Sequence, residues 1–204
     1  IKDNPATKKV GRKVLIFDVN GEFTSNKLRN EYGVDFDAPI LALKDLPAWT
    51  LQKRVEVRRI LPLDENNCIV DDIDVMIGIL EKILQQFKGG MLLLEDINAY
   101  MIGTQTKSII SAITRNRHKD LDIYIHLQGL RAMSPRMWAN HNILRFHKQN
   151  ETVWKFEKMI NTPEVFYIAE ALVALKCTTN QYFYCYVDND YKKISGAFSK
   201  MDYW

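Results

Sequence analysis

The sequence is poor in cysteine, glycine and proline. Its three cysteines, Cys68, Cys177 and Cys185, form an odd, sparse set without metal-ligand spacing, which excludes a disulfide scaffold and indicates a reducing compartment. Nine glycines and six prolines among 204 residues exclude a collagen-like fibre, and 47% hydrophobic residues exclude a disordered tail. The composition therefore indicates a globular domain with a sizeable core.

Long apolar runs and a strong net charge are also missing. The best candidate for a membrane helix, residues 165–175, is much shorter than the roughly 20 residues that are needed, and it contains Glu170. No secretory signal follows Ile1. We therefore expect a cytoplasmic protein without a membrane span. The net charge of +3 neither requires nor opposes a nucleic-acid partner.

What the sequence does contain is an alternation of strand and helix patterns. Apolar runs predict strands at 13–17, 55–61, 91–94, 121–127 and 143–147. Helical spacing predicts helices from Asp71 or Asp72 to the Gly89-Gly90 pair, and at 104–113, 135–139 and 163–176. Residues 182–186 and 192–198 predict a terminal hairpin. This order is typical of an α/β protein with a mostly parallel sheet flanked by helices, and we expect one domain over 1–204.

Polar side chains follow three of the predicted strands. Asp18 with Glu22, Glu95 with Asp96, and Gln128 occupy these positions. In open α/β sheets, ligands bind beyond the carboxyl ends of the strands, so these residues are site candidates. Adjacent carboxylates suit Mg²⁺-nucleotide chemistry, because one can hold the hydrated metal while its neighbour orients an attacking water. The alternative is that both acids only solvate a strand end.

Two groups of arginines are candidates for binding phosphates. Arg115 and Arg117 lie in a basic cluster at 115–119, where a helix C-terminus favours cations; alternatively, one of them reaches into the site of a neighbouring subunit. Arg131 and Arg136 either line a nucleic-acid path or keep a loop in solution.

Two further sets of residues are expected to have no functional role. A solvated basic face is predicted for Lys53, Arg54, Arg58 and Arg59. Core or surface positions are predicted for the histidines, which show no metal-ligand spacing: His118, His126, His141 and His147.

Three segments, taken in order, resemble the FtsK/HerA superfamily of P-loop motors. They are VLIFDVNGEF at 14–23, LLLED at 92–96, and RNRHKDLDIYIHLQ at 115–128. Members of that family use ATP to translocate DNA, and they include the genome-packaging ATPases of several viruses. The resemblance implies a P-loop NTPase fold of the RecA/ASCE type, here followed by the C-terminal β-hairpin.

The resemblance also implies roles for particular residues. Asp18 to Glu22 matches the D-x-x-G-E element, so Asp18 contributes to ATP binding and Glu22 to catalysis. Glu95 and Asp96 occupy the Walker B position of the Mg²⁺ ligand and the catalytic base, in the reverse of the usual order. Gln128 matches the polar sensor, and Arg115 or Arg117 matches the arginine that acts on a neighbouring subunit.

The phosphate loop of that family does not occur in the sequence. No G-x-x-x-x-G-K-[ST] pattern is present, although its N–H groups and lysine are what hold the β- and γ-phosphates. The resemblance places this loop after a central strand that lies between the strand bearing Gln128 and the next one. We therefore expect a strand and a phosphate loop upstream of Ile1.

Three functions remain as hypotheses. The first is an ATP-driven DNA translocase of the viral genome-packaging kind, because the chain lacks large accessory modules. Its cofactors are ATP and Mg²⁺, and its partners are double-stranded DNA, further copies in a ring of five or six, and a capsid or portal component. It acts in the host cytoplasm or the virion.

The second hypothesis is a metal-dependent nuclease or phosphotransferase that uses Asp18, Glu22, Glu95 and Asp96. The third is a nucleotide-dead structural subunit of such a motor.

Overall fold

The computed structural model of the chain describes residues 11–24, 36–64, 66–97, 113 and 119–196. Contacts divide the chain into two units, Ile1–Leu127 and Gln128–Trp204. The predicted helix at 104–113 lies, apart from Ile113, outside the described residues. One domain over 1–204 stays a prediction.

Four parallel strands form the sheet of the first unit. They are β1 (Lys13–Phe17), β2 (Val57–Ile60), β3 (Gly90–Leu94) and β4 (Leu121–Ile125), in the order β2-β1-β3-β4. Phe17 lies opposite Leu94, and Leu94 lies opposite Ile125, so three strands end at one edge. Among the described residues, β4 has β3 as its strand partner. The predicted parallel sheet is confirmed, and the further strand beside β4 stays a prediction.

One apolar core joins this sheet to two helices, α1 (Leu46–Leu51) and α2 (Ile73–Gln86). The buried residues of α2 recur at three- and four-residue intervals, as in an amphipathic helix: Met76, Ile77, Leu80, Ile83 and Leu84. Trp49 of α1 stacks on Phe87, with ring centroids 5.5 Å apart. The two inner strands, β1 and β3, have near-continuous apolar sequences, which is why their positions could be predicted.

The sequence offered two candidates, Asp71 and Asp72, for the N-cap residue of helix α2. Asp72 is the cap, because its Oδ1 accepts hydrogen bonds from the backbone N–H of Asp74 at 2.8 Å and of Val75 at 3.2 Å.

Replacing Asp72 with Ala should lower the free energy of unfolding by about 1 kcal/mol, since the N–H groups of Asp74 and Val75 lose their acceptor. Urea unfolding checks this. Asp71→Ala removes the same charge without the cap and should be nearly neutral; an equal loss in both variants would contradict the assignment.

The second unit contains a three-stranded antiparallel sheet. Its elements are α3 (Pro135–Asn140), β5 (Ile143–His147), α4 (Pro163–Lys176), β6 (Tyr184–Asp188) and β7 (Lys193–Gly196). The predicted hairpin is β6–β7, and β5 pairs antiparallel with β6. Side chains alternate between the two faces of the sheet, as this pairing requires. The α/β class with a parallel sheet and a C-terminal hairpin is confirmed, but β5 belongs to the antiparallel sheet.

Candidate functional site

The carboxyl ends of β1, β3 and β4 bring three side chains to one edge of the sheet. Asp18, Glu95 and His126 each follow the last residue of one of these strands. Backbone hydrogen bonds continue for one more residue, since the N–H of His126 donates to the carbonyl of Leu94 at 3.0 Å. The parallel register therefore places Glu95 directly beside His126.

Glu95, Asp96 and His126 form a compact cluster of possible metal ligands. One ligand atom from each lies within 4.8 Å of the others. The imidazole Nδ1 of His126 is 2.6 Å from Oε1 of Glu95. The Glu95 side chain is 14% exposed and that of His126 is 59% exposed, so solvent reaches the cluster from the histidine side. The two carboxylates fit a divalent cation such as Mg²⁺ or Mn²⁺, which prefers oxygen ligands, and the imidazole contacts one of them, Glu95.

The backbone bends sharply at Asp96. Its φ angle is +43°, a left-handed conformation that aspartate tolerates better than most residues. Nδ2 of Asn20 donates to Oδ2 of Asp96 at 2.7 Å. Glu95 thus contacts the β4 side while Asp96 contacts the turn after β1. The adjacent acids therefore have different hydrogen-bond partners.

Asp18 is fully buried and shapes the turn after β1. Its Oδ1 accepts from the N–H of Glu22 at 2.8 Å, and its Oδ2 accepts from the N–H of Phe23 at 3.2 Å. Arg59 of β2 donates from Nη1 to the same Oδ2 at 2.9 Å. These are all contacts within the protein, and the role of Asp18 in cofactor binding stays a prediction.

Arg59 was expected on a solvated face, and that prediction is wrong. The residue is only 7% exposed, and its Nε donates to the carbonyl of Ala38 at 2.8 Å. The cause is the pairing of β2 with β1, which places Arg59 in the interior, where the carboxylate of Asp18 compensates its charge. Arg54, with a side chain that is 76% exposed, is solvated as predicted.

The predicted D-x-x-G-E element forms a single turn. Gly21 has a φ of +67°, and a Cβ added there would lie 3.0 Å from Cδ1 of Ile69, so glycine suits this position. Glu22 follows it and is partly buried. The Asn20-Gly21 turn that the sequence indicated is confirmed, and the catalytic role of Glu22 stays a prediction.

The other predicted site residues belong to the second unit or lie outside the described residues. Gln128 is the first residue of the second unit. Arg131 is paired there with Glu151, at 3.2 Å from Nε to Oε1, and Arg136 is exposed on α3. Arg115 and Arg117 lie outside the described residues. The roles of all four arginines and of Gln128 stay predictions.

Sequence reasoning missed His126. The sequence pattern predicts a strand that extends to residue 127 and includes His126, whereas β4 ends at Ile125. Glu95 and His126 are 31 positions apart in sequence, which hides the pair from any search by spacing. The available signal was the parallel pairing itself, because residues that follow neighbouring parallel strands become neighbours.

Among the described residues at this edge, the named side chains do not form a binding set for nucleotide phosphates. The sequence contains no phosphate-loop pattern, and the side chains described above offer two carboxylates and an imidazole. Such a set fits a cation, whereas phosphates need backbone N–H groups and a lysine. The donor set therefore fits Mg²⁺ and does not by itself fit the phosphates of ATP.

The opposite edge of the sheet carries a basic pocket of about 420 Å³. Its cations are Arg12, Lys13, Lys53, Lys88 and Lys119. The Nζ of Lys13 donates to carbonyls in the last turn of α1, and the Nζ of Lys119 donates to carbonyls in the last turn of α2. Burial lowers the pKa of Lys13, and the Glu56 carboxylate opposes this shift. These two lysines therefore stabilise helix C-termini.

Comparison with known proteins gives structural matches. The chain is similar to the genome packaging NTPase B204 from Sulfolobus turreted icosahedral virus 2, in complex with sulfate, at 18% identity and a TM-score of 0.54, over 90% of this chain and 80% of that one. It is also similar to B204, the DNA-packaging ATPase from Sulfolobus turreted icosahedral virus, at 15% identity and a TM-score of 0.51, over 91% of this chain and 81% of that one. No protein-family model and no curated protein sequence matches.

These likenesses agree with the α/β fold predicted from the sequence. In the described part of the chain, none of the helices has the length and apolar character needed to cross a membrane.

Proposed function

We propose that the chain is a genome-packaging NTPase of a virus, and that it drives the movement of double-stranded DNA. The observation that carries this proposal is the pair Glu95 and Asp96 at the carboxyl end of β3, beside His126, in a parallel sheet. The likeness to the B204 fold supports it. FtsK/HerA membership, hydrolysis at the interfaces of a ring, and a capsid or portal partner belong to the same proposal.

The residues of the cluster have different roles in this proposal. Glu95 and Asp96 would hold a divalent cation and orient a water molecule, and the cation, when bound, would supply positive charge that stabilises a reacting phosphate group. His126 fixes the orientation of Glu95 through its Nδ1 contact. Asp18 acts indirectly, because it holds the turn that carries Asn20, the partner of Asp96.

A nuclease with four converging carboxylates is less well supported. That alternative needs the Asp18 carboxylate at a two-cation centre, together with Glu22, Glu95 and Asp96. Asp18 has no exposed surface, and it is paired with Arg59. Drawing it to a cation would leave the Arg59 charge buried without a partner, which is costly.

The test is a hydrolysis assay with the full natural-length protein, with and without Mg²⁺ and with and without duplex DNA. We expect nucleotide hydrolysis that requires the cation and that increases when duplex DNA is added, while the DNA remains intact. Cleavage of DNA without nucleotide would favour the nuclease. Absence of hydrolysis under all conditions would contradict the proposal and favour the structural subunit.

A further inference from the structure

The outer face of the antiparallel sheet in the second unit concentrates aromatic and basic side chains. Arg145 of β5 lies opposite Tyr186 of β6, and His147 lies opposite Tyr184. The alternating partners Phe146 and Cys185 are buried on the other face. Four neighbouring positions of one face therefore carry two tyrosines, a histidine and an arginine.

These side chains contact one another in a continuous cluster. The guanidinium carbon of Arg145 lies 3.7 Å from the centroid of the Tyr184 ring. The Tyr184 ring centroid is 5.3 Å from that of His147 and 5.5 Å from that of Tyr186. Tyr184 is thus the centre of the cluster, and it holds the planar guanidinium of Arg145 in place. The cluster is preorganised, so a ligand that stacks on it has little side-chain entropy to remove.

The chemistry of this face fits a nucleic acid better than a protein. Tyrosine, histidine and arginine planes are the groups on which bases stack, and an arginine can also donate to phosphates. Charge agrees with an anionic ligand, because the described strand residues of this face include two cations, Arg145 and Lys193, and one carboxylate, Asp188. Oδ1 of Asp188 already accepts from the N–H of Asp190 and of Tyr191. Ile143, at 61% exposure, is the large aliphatic side chain among the same described residues, and one such residue makes a poor apolar interface core.

We propose that the outer face of β5–β6–β7 binds unpaired nucleotides of a nucleic acid, with bases stacked on Tyr186 and His147 and a phosphate bound by Arg145. Unpaired nucleotides are favoured over a duplex because stacking needs exposed base planes. Duplex binding depends mainly on the number of cations that meet phosphates, and this face has few. The site is independent of nucleotide hydrolysis and goes beyond the proposed function.

Binding is tested with the full chain, without nucleotide or divalent cation, by the fluorescence anisotropy of a labelled oligothymidine of about 12 nucleotides. Tyr186→Ala should weaken binding roughly tenfold or more, because one stacked base loses its platform. Tyr186→Phe keeps the ring and should bind like the wild type. The matched control is Tyr182→Ala: Tyr182 is 77% exposed, lies before β6, and should not affect binding.

The salt dependence separates stacking from charge. Arg145→Ala should reduce the slope of log affinity against log salt by about 0.7, whereas Tyr186→Ala should leave the slope unchanged. Unfolding midpoints of all variants show whether the sheet is intact.

Several results would overturn the proposal. These are no binding of the oligothymidine, equal losses in Tyr186→Ala and Tyr182→Ala, or a Tyr186→Ala variant that weakens binding of a duplex of the same length as much as binding of the oligothymidine. Self-association of the wild type that Tyr186→Ala abolishes, measured by sedimentation, would assign the face to a second copy instead. Because the assay contains no nucleotide, each of these results leaves the hydrolysis proposal standing.

Discussion

Glu95→Gln and Asp96→Asn should each lower nucleotide hydrolysis by about 10²- to 10⁴-fold. Each amide has nearly the size and shape of the carboxylate it replaces but lacks the charge that holds a cation and the basicity that orients a water. Glu95 is 14% exposed beside His126, and Asp96 contacts Asn20, so neither neighbouring group can take over the missing charge. Initial rates of phosphate release at saturating Mg²⁺ measure the effect.

The two variants should also differ from each other. The residue that holds the cation should show a raised Mg²⁺ requirement, and part of its lost rate should return at high Mg²⁺. The residue that orients water should keep its Mg²⁺ requirement and lose turnover. This comparison assigns the roles that the reversed Glu95-Asp96 order leaves open.

Asp45→Asn serves as the control for both variants. Asp45 is an exposed aspartate of the same unit, at the end of a short 3-10 helix, and it does not belong to the cluster. This variant should hydrolyse nucleotide at the wild-type rate. Wild-type rates in both Glu95→Gln and Asp96→Asn would remove the cluster from the mechanism.

The fold of the first unit was predictable because its signals are local. A strand buried in a parallel sheet must be apolar along its length, and β1 and β3 stand out from their polar flanks for that reason. The cap at Asp72 and the turn at Gly21 are equally local, since each depends on residues within five positions. The acids that follow β1 and β3 indicated the candidate site edge of the sheet from the sequence alone, and their functional roles stay predictions.

The contacts that complete the candidate site were not predictable, because they depend on which strands become neighbours. Asp18 and Arg59 are 41 positions apart, and only the pairing of β1 with β2 brings them together. His126 becomes a neighbour of Glu95 in the same way, through β3 and β4. The direction of β5 was missed because a short alternating strand has the same sequence pattern in parallel and antiparallel pairs.

The buried ion pair makes a second strong prediction. Asp18→Ala should lower the free energy of unfolding by about 3–5 kcal/mol, because it leaves the charge of Arg59 buried without a carboxylate. The Arg59 side chain is 9% exposed and that of Asp18 is 0% exposed, so water cannot replace the missing partner. The N–H groups of Glu22 and Phe23 lose their acceptor as well. Urea unfolding followed by circular dichroism measures the loss.

An ion pair of the same unit whose arginine is exposed provides the control. Arg54 lies 3.5 Å from Glu56, and its side chain is 76% exposed. Arg54→Ala should therefore change the free energy of unfolding by less than about 1 kcal/mol. If Asp18→Ala lowers the free energy of unfolding no more than Arg54→Ala does, the buried pair does not stabilise the first unit.

A double variant distinguishes a lost charge partner from lost packing. Arg59→Met with Asp18→Ala removes both charges, so it should be less destabilised than the sum of the two single variants, by about 0.5–3 kcal/mol. Strict additivity would mean that the two side chains act independently.

Asp18→Asn adds a functional readout, because its amide oxygen can still accept hydrogen bonds from the N–H groups of the turn while the negative charge is lost. If Asp18 only shapes the turn that carries Asn20, this variant should be destabilised yet keep the Mg²⁺ requirement of the wild type, whereas a raised requirement would place Asp18 in direct contact with the cation.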